Sequence, residues 1–197
     1  MTATRRGTFG SAPRSIMKLP EHVALSYLLA QLGPQQTYGP AGTLLVMAAG
    51  LLPDLDGISI LGGWQCHLKY HRKIGHGLPV TLLGPLLLAL CWAGQLDGWE
   101  WLGLWAWLQV SLLLHLVVDL LFHRWPVQLL WPVSNSGVGL GLVGWHDLVP
   151  TALLYVAAAL ALVLHASAWW IAGGALGLLA VYVAWRAWRP EPLSGWL

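Results

Sequence analysis

Apolar positions in this chain gather into long runs separated by short polar breaks. The runs cover residues 40–61, 78–94, 99–122, 148–166 and 169–188, each near or above the roughly 18–20 residues that carry an α-helix across a hydrocarbon core. A weaker run, VALSYLLAQLGPQQTYG, follows His22 and is interrupted by Gly33 and Pro34. The pattern predicts an all-α fold, a polytopic membrane bundle of about six transmembrane helices. Residues 1–197 read as one integral-membrane domain: a basic leader over 1–21, a helical bundle over 22–188 and a short tail over 189–197.

Composition strengthens that picture. The chain is 57% hydrophobic and 9% charged, with 14 tryptophans and a mean hydropathy of +0.63, which sets it apart from soluble domains. Its basic residues fall in groups. Arg5, Arg6, Arg14 and Lys18 precede the first run, Lys69, Arg72 and Lys73 lie between the second and third, Arg124 follows the fourth, and Arg186 and Arg189 end the last. The intervening breaks carry none, so six crossings with both termini cytoplasmic keep every basic residue inside. The leader has no apolar core directly behind it and is expected to be retained rather than cleaved. Cys66 and Cys91 fall at different depths and are not expected to pair. Residues 124–145, RWPVQLLWPVSNSGVGLGLVGW, read as a Gly- and Trp-rich interfacial loop. The tryptophans read as interfacial anchors, and Gly173 with Gly177 as a close helix contact, within the molecule or in a homodimer.

Against so sparse a charge, HRKIGHGLPV at residues 71–80 stands out, with four polar, basic side chains in its first six residues. Ionisable groups at the edges of membrane helices are costly, so each is a functional candidate. His22 opens the first span, Asp54 and Asp56 close the second in LLPDLDG, and His71 and His76 occupy the next loop. His115 and Asp119 end the fourth, and His146 and Asp147 open the fifth. The topology drawn from Lys and Arg alone puts all of them on the cytoplasmic side. His115 and Asp119, four apart, share a helix face. Asp54 and Asp56 flank Leu55 in a turn that Pro53 starts. Imidazole and carboxylate together suit Zn²⁺, Mn²⁺ or Fe²⁺ rather than Ca²⁺. His22, Asp54, Asp56, His71, His76, His115 and Asp119 exceed the needs of one tetrahedral ion, and the expectation is two ions, most readily zinc, sharing a carboxylate. Arg72 and the start of the third helix offer an anion clamp for a phosphate, with lipid headgroups as the competing ligand for Arg72. His146 and Asp147 either join the site or cap the fifth helix, while His67, His123 and His165 read as interfacial.

The residues from His22 to Pro132, through LLPDLD, HRKIGH, HLVVD and LLWP in that order, resemble the bacterial LexA-regulated, membrane-bound metal-dependent hydrolases. More distantly the chain is similar to zinc-dependent phospholipases C. The resemblance implies an inner-membrane protein with a hydrolase site. Gly75 and Gly77 depart from it, because members often carry Thr and Ser around the second histidine of that motif. The expected activity is hydrolysis of a phosphoester in a lipid or lipid-linked substrate at the cytoplasmic face. A metal there brings the pKa of bound water from 15.7 toward ~7, and Asp54 or Asp56 takes its proton or bridges the ions. Membrane lipids are the expected partners, and nucleic acid is not. The rival reading is a transporter of metal ions or protons through the same His/Asp cluster. A haem protein with His22 or His115 as axial ligand leaves the aspartates without a purpose. A vanadium-haloperoxidase-type lipid phosphatase lacks its arginine shortly before His115.

Overall fold

The computed structural model describes residues 19–121, 126–143 and 147–189. The expected roles of the basic leader, Arg124, His123 and His146 lie outside those residues. Seven α-helices are described: α1 Leu19–Ala30, α2 Pro34–Leu51, α3 Trp64–Tyr70, α4 Leu78–Trp92, α5 Glu100–Leu121, α6 Leu148–Val163 and α7 Ala168–Trp188. No extended strand occurs among the described residues, only an isolated antiparallel bridge between Val127 and Val138. The all-α expectation holds, and the helix limits of α4 to α7 follow the apolar runs closely.

The crossings are less regular than the sequence suggests. Among the described residues, α5, α7 with its leading turn, and α4 with its trailing turn are the three helices long and apolar enough to cross a bilayer. A fourth candidate joins α2 to the 3₁₀ segment Pro53–Gly62 across a 55° bend. At 12 residues, α1 reaches only about 18 Å, well short of a ~30 Å hydrocarbon core. It begins at Leu19, three residues ahead of the expected boundary, because the LPE sequence starts the helix with proline inside its first turn and Glu21 at the positive end of the dipole. Within α2, Gly39 sits at φ +64° and ψ −158°, which only glycine adopts readily, and the chain kinks there before Pro40.

Helix α5 is the hub. It packs on α2 and α4, while α1 bridges α2 to α6 and α7. Leu29, Val46, Ala49, Ala89, Leu104 and Leu108 form the core on the α2–α4–α5 side. On the other side Leu25, Leu28, Ala157, Ala161 and Ala172 join α1, α6 and α7. Small residues let these backbones approach, the usual device where lipid removes the hydrophobic drive for helix association. Gly50 is a point of close approach: a Cβ there would stand 2.0 Å from Ser26 Oγ and 2.7 Å from Ser111 Oγ. The Ser111 hydroxyl lies 2.8 Å from the Val46 carbonyl and 3.2 Å from Ser26 Oγ, tying α1, α2 and α5 together.

Among the described residues the pair Gly173 and Gly177 makes no close helix contact, which removes the first of the two expected alternatives and leaves the homodimer. Gly173 meets only Leu32, 3.9 Å from a built Cβ, and Gly177 faces open space, because the α1–α6–α7 seam uses the alanine face of α7 instead. Cys66 and Cys91 are both free. The loop after α5 does not simply lie at the surface either. Val127 and Val143 are buried, and the backbone of Gln128 donates to the Arg72 carbonyl at 3.0 Å while Leu78 donates to the Trp131 carbonyl at 3.0 Å. It straps the end of α5 to the turn before α4. Replacing Gly50 by alanine should overpack the three-helix junction and cost about 1–3 kcal/mol, read as a lowered midpoint of thermal unfolding in detergent.

Candidate metal centre

Six helix ends converge on one side of the bundle. The starts of α1, α4 and α6 meet the ends of α2, α5 and α7 there, so side chains from distant parts of the chain can face a common centre. Asp119, on the last turn of α5, lies at that centre and is fully buried. Its Oδ1 accepts from Arg72 Nη2 at 2.9 Å and stands 3.4 Å from His22 Nε2. Its Oδ2 is 2.8 Å from His76 Nε2 and 3.6 Å from His115 Nε2. A buried carboxylate is tolerable only with such compensation.

A second carboxylate organises the histidines. Asp56 Oδ1 pairs with His71 Nδ1 at 2.7 Å, and its Oδ2 accepts from the Gly75 amide at 3.1 Å and faces His76 Nδ1 at 3.3 Å. The 3₁₀ winding begun by Pro53 turns Asp56 inward and leaves Leu55 exposed. Asp54 stays partly exposed, with Oδ1 3.8 Å from His115 Nε2. Arg72 adopts φ +60°, a left-handed conformation that costs a non-glycine residue about 1 kcal/mol or more. That turn sends its side chain into the cluster, where it is 1% exposed. Burial draws its pKa below the usual arginine value, against the pull of Asp119, Asp54 and Asp56.

Gly75 and Gly77, the departures from the resemblance, have a steric reason. A Cβ on Gly75 would lie 2.0 Å from the Pro53 carbonyl oxygen, and one on Gly77 would lie 2.8 Å from the Trp131 carbonyl oxygen. The bare backbone at 75 is what brings its amide onto Asp56.

All seven expected ligands and Arg72 thus meet in one region. His22, Asp54 and His115 offer three ligand atoms within 4.8 Å of one another, and so do His76, His115 and Asp119. Two ligands at about 2.0–2.1 Å from one tetrahedral ion stand roughly 3.3–3.4 Å apart. The separations of His115 Nε2 from Asp119 and Asp54, 3.6 and 3.8 Å, are near that value and longer than a hydrogen bond. Both ring nitrogens of His115 are buried and have no hydrogen-bond partner among the described residues. An orphaned buried nitrogen costs about 1–3 kcal/mol, and a ligand is the economical explanation. His71, by contrast, is held by Asp56 on one side and stacks on His67, ring centroids 4.4 Å apart, on the other.

His67 is therefore part of this array rather than an interfacial residue. It is buried and lies 3.4 Å from Ser59 Oγ, and its position three residues before the end of α3 gave no sequence signal beyond a histidine near others. His165 is exposed at the opposite end. Asp147 takes the capping role: it accepts from the Val149 amide at 3.2 Å at the start of α6, and from the Tyr182 hydroxyl.

Fold and site together define a helical membrane protein with a buried histidine–aspartate centre at one end of its bundle. More particularly, the chain belongs to the YdjM inner membrane protein family, which it matches over residues 17–192. That description places the family in the inner membrane and names no reaction. No curated protein and no solved structure matches the chain.

His76 carries the electrostatic signature of the centre. Burial disfavours its charge, but hydrogen bonds to Asp119 and Asp56 outweigh that and raise its pKa from 6.5 to about 9. An imidazole that donates from both nitrogens is the cation. Its contribution to stability is complete below pH 6.5 and lost as pH rises through about 9. Chelator-treated protein should therefore show a thermal midpoint that falls between those pH values, and His76→Gln should flatten the fall. Gly75→Ala should drive Asp56 off the amide and cost about 1–3 kcal/mol, with metal content measured alongside dropping well below that of the parent.

Proposed function

We propose that this protein is a membrane-embedded metal-dependent hydrolase that acts at the cytoplasmic face on a phosphoester of a lipid or lipid-linked substrate. The observation that carries the reading is His115 Nε2, buried, without a hydrogen bond among the described residues, and spaced from the Asp119 and Asp54 oxygens as ligands of one ion are. His22, Asp54, His76, His115 and Asp119 would hold the metal, two ions of zinc, manganese or iron by the chemistry of the donors. Once bound, the metal supplies a Lewis acid and a water of lowered pKa.

The chain's own groups supply the rest. Asp56 fixes the orientation of His71 and His76, the usual carboxylate support of ligating imidazoles. Asp54, the most accessible carboxylate of the cluster, takes a proton from the attacking water. Arg72 holds Asp119 in place and adds positive charge where a phosphate would sit. A groove of about 690 Å³ between the 3₁₀ segment and α4 reaches Asp56 and Gly75 from the bilayer side, past Leu55, Ile58 and Leu83, and gives a lipid lateral access. The cluster adjoins the turn that carries Lys69 and Lys73, which the positive-inside rule assigns to the cytoplasmic side, and the reading needs no more than the three or four candidate crossings of the described residues.

Along the bundle axis the core of Leu29, Val46, Leu104 and Leu108 closes the way beyond the cluster, which favours an enzyme over a metal or proton transporter. Protein purified without a metal-affinity tag should carry stoichiometric Zn, Mn or Fe by inductively coupled plasma mass spectrometry, and Asp54→Ala/His115→Ala should lose it. Turnover of phospholipids or lipid-linked phosphates should fall at least 100-fold in Asp119→Ala and His71→Ala with the fold intact. Absence of metal in the parent even after reconstitution, or metal flux into proteoliposomes without turnover, would overturn the reading.

A further inference from the structure

A cavity of about 460 Å³ lies between α1, α5, α6 and α7, separate from the groove at Asp56. Its size falls within the roughly 300–1,000 Å³ typical of small-ligand sites. Its two ends differ in chemistry. Glu21 and His22 at the start of α1 and Asp147 and Thr151 at the start of α6 supply its polar lining, and Val118, Leu154, Leu179 and Val183 are among the apolar residues of the rest. Farther along the same helices, Leu28, Ala161 and Ala172 close the seam. The cavity is thus an apolar slot, open along its flank at Val117 and Ala180, whose polar end includes His22, a member of the Asp119 cluster.

Such an apolar slot would hold water poorly, because nearly all of its lining offers no hydrogen-bond partner. The Glu21 carboxylate accepts from Thr151 Oγ1 and that of Asp147 from the Tyr182 hydroxyl, so these polar groups tie α1, α6 and α7 together around the mouth. The ligand that matches such a shape is an amphiphile: hydrocarbon inward, polar head at the helix ends.

We propose that this cavity seats one hydrocarbon chain of an amphiphile whose anionic head lies on the His/Asp cluster. The placement of the head rests on the metal-centre reading given above, whereas the chain seat rests on the cavity. The consequence is a substrate class, single chains of limited length measured by the slot, rather than any phosphoester that reaches the metal.

The test uses n-alkyl phosphates from butyl to dodecyl, titrated onto the full chain in amphipol below their micelle concentrations, with n-dodecanol as a head-free probe. Affinity should rise by about fourfold per methylene, the full-burial limit, and level off once the slot is filled. Ala180 lines the cavity on α7, and Ala180→Trp should weaken dodecyl phosphate at least tenfold while leaving butyl phosphate unchanged. Leu178→Trp places the same bulk on the exposed face of α7 and should change neither. If Ala180→Trp fails to fold, Ala184→Phe tests the same wall. No dependence on chain length, or dodecyl phosphate binding equally to Ala180→Trp and the parent, would overturn the proposal. Dodecanol and dodecyl phosphate binding alike, with the chain-length slope retained, supports the chain seat and overturns the metal-centre reading instead.

Discussion

The Asp119 carboxylate is the constraint around which this end of the bundle is built. It is fully buried on the last turn of the central helix, where an isolated charge would cost many kcal/mol. Arg72 and His76 from the loop before α4, His22 from α1 and His115 from one turn back on α5 answer it. Each answer fixes a piece of backbone: the left-handed turn at Arg72, the tight 71–77 loop, the start of α1. Removing one partner of such a pair leaves the other charge buried and uncompensated, typically at a cost of about 3–5 kcal/mol. The centre is thus a structural keystone as well as a proposed site of chemistry.

Asp56 plays a complementary part. It binds two imidazoles and one backbone amide, so it satisfies its own oxygens while fixing ring orientations. The glycine at 75 is what permits this, since the Pro53 carbonyl occupies the space a side chain would need. Around the pair, the strap of residues 126–143 closes the turn from outside through Gln128 and Trp131. Rigid support of this kind is what a metal site demands of its surroundings.

Much of the site was legible in the sequence because membrane helices make polar residues conspicuous. His22, His71, His76, His115, Asp54, Asp56 and Asp119 stood out against apolar runs, and the structure brings all of them together. What the sequence concealed was depth and distance. The break at Gly33 and Pro34 did mark the first run as weak, and α1 ends at Ala30 just ahead of it, but the crossing number that follows was not readable from the apolar runs. The burial of His67 depends on α3 folding straight back on the 3₁₀ segment that precedes it, through a turn at Gly63 whose direction the side-chain pattern does not record. The outward face of Gly177 could not be told from an inward one, since a small-residue pair fits either side of a helix. Gly75 and Gly77 read as lost hydroxyls, yet they are sites of close approach, which only the neighbouring carbonyls reveal.

The placement of the centre at helix ends also bears on how such a protein is made. During insertion, helices enter the bilayer before they pack, and a charge in mid-helix would have to be dragged into hydrocarbon unaccompanied. Here every charged group of the cluster sits within a turn or two of one end of its helix, on the same side as the others. Each can wait in the hydrated headgroup layer until its neighbours arrive. Because Asp119 emerges from the ribosome after His22, Asp56, Arg72 and His76, the last charge made is the one that gathers the rest, and the centre closes only once α5 is in place.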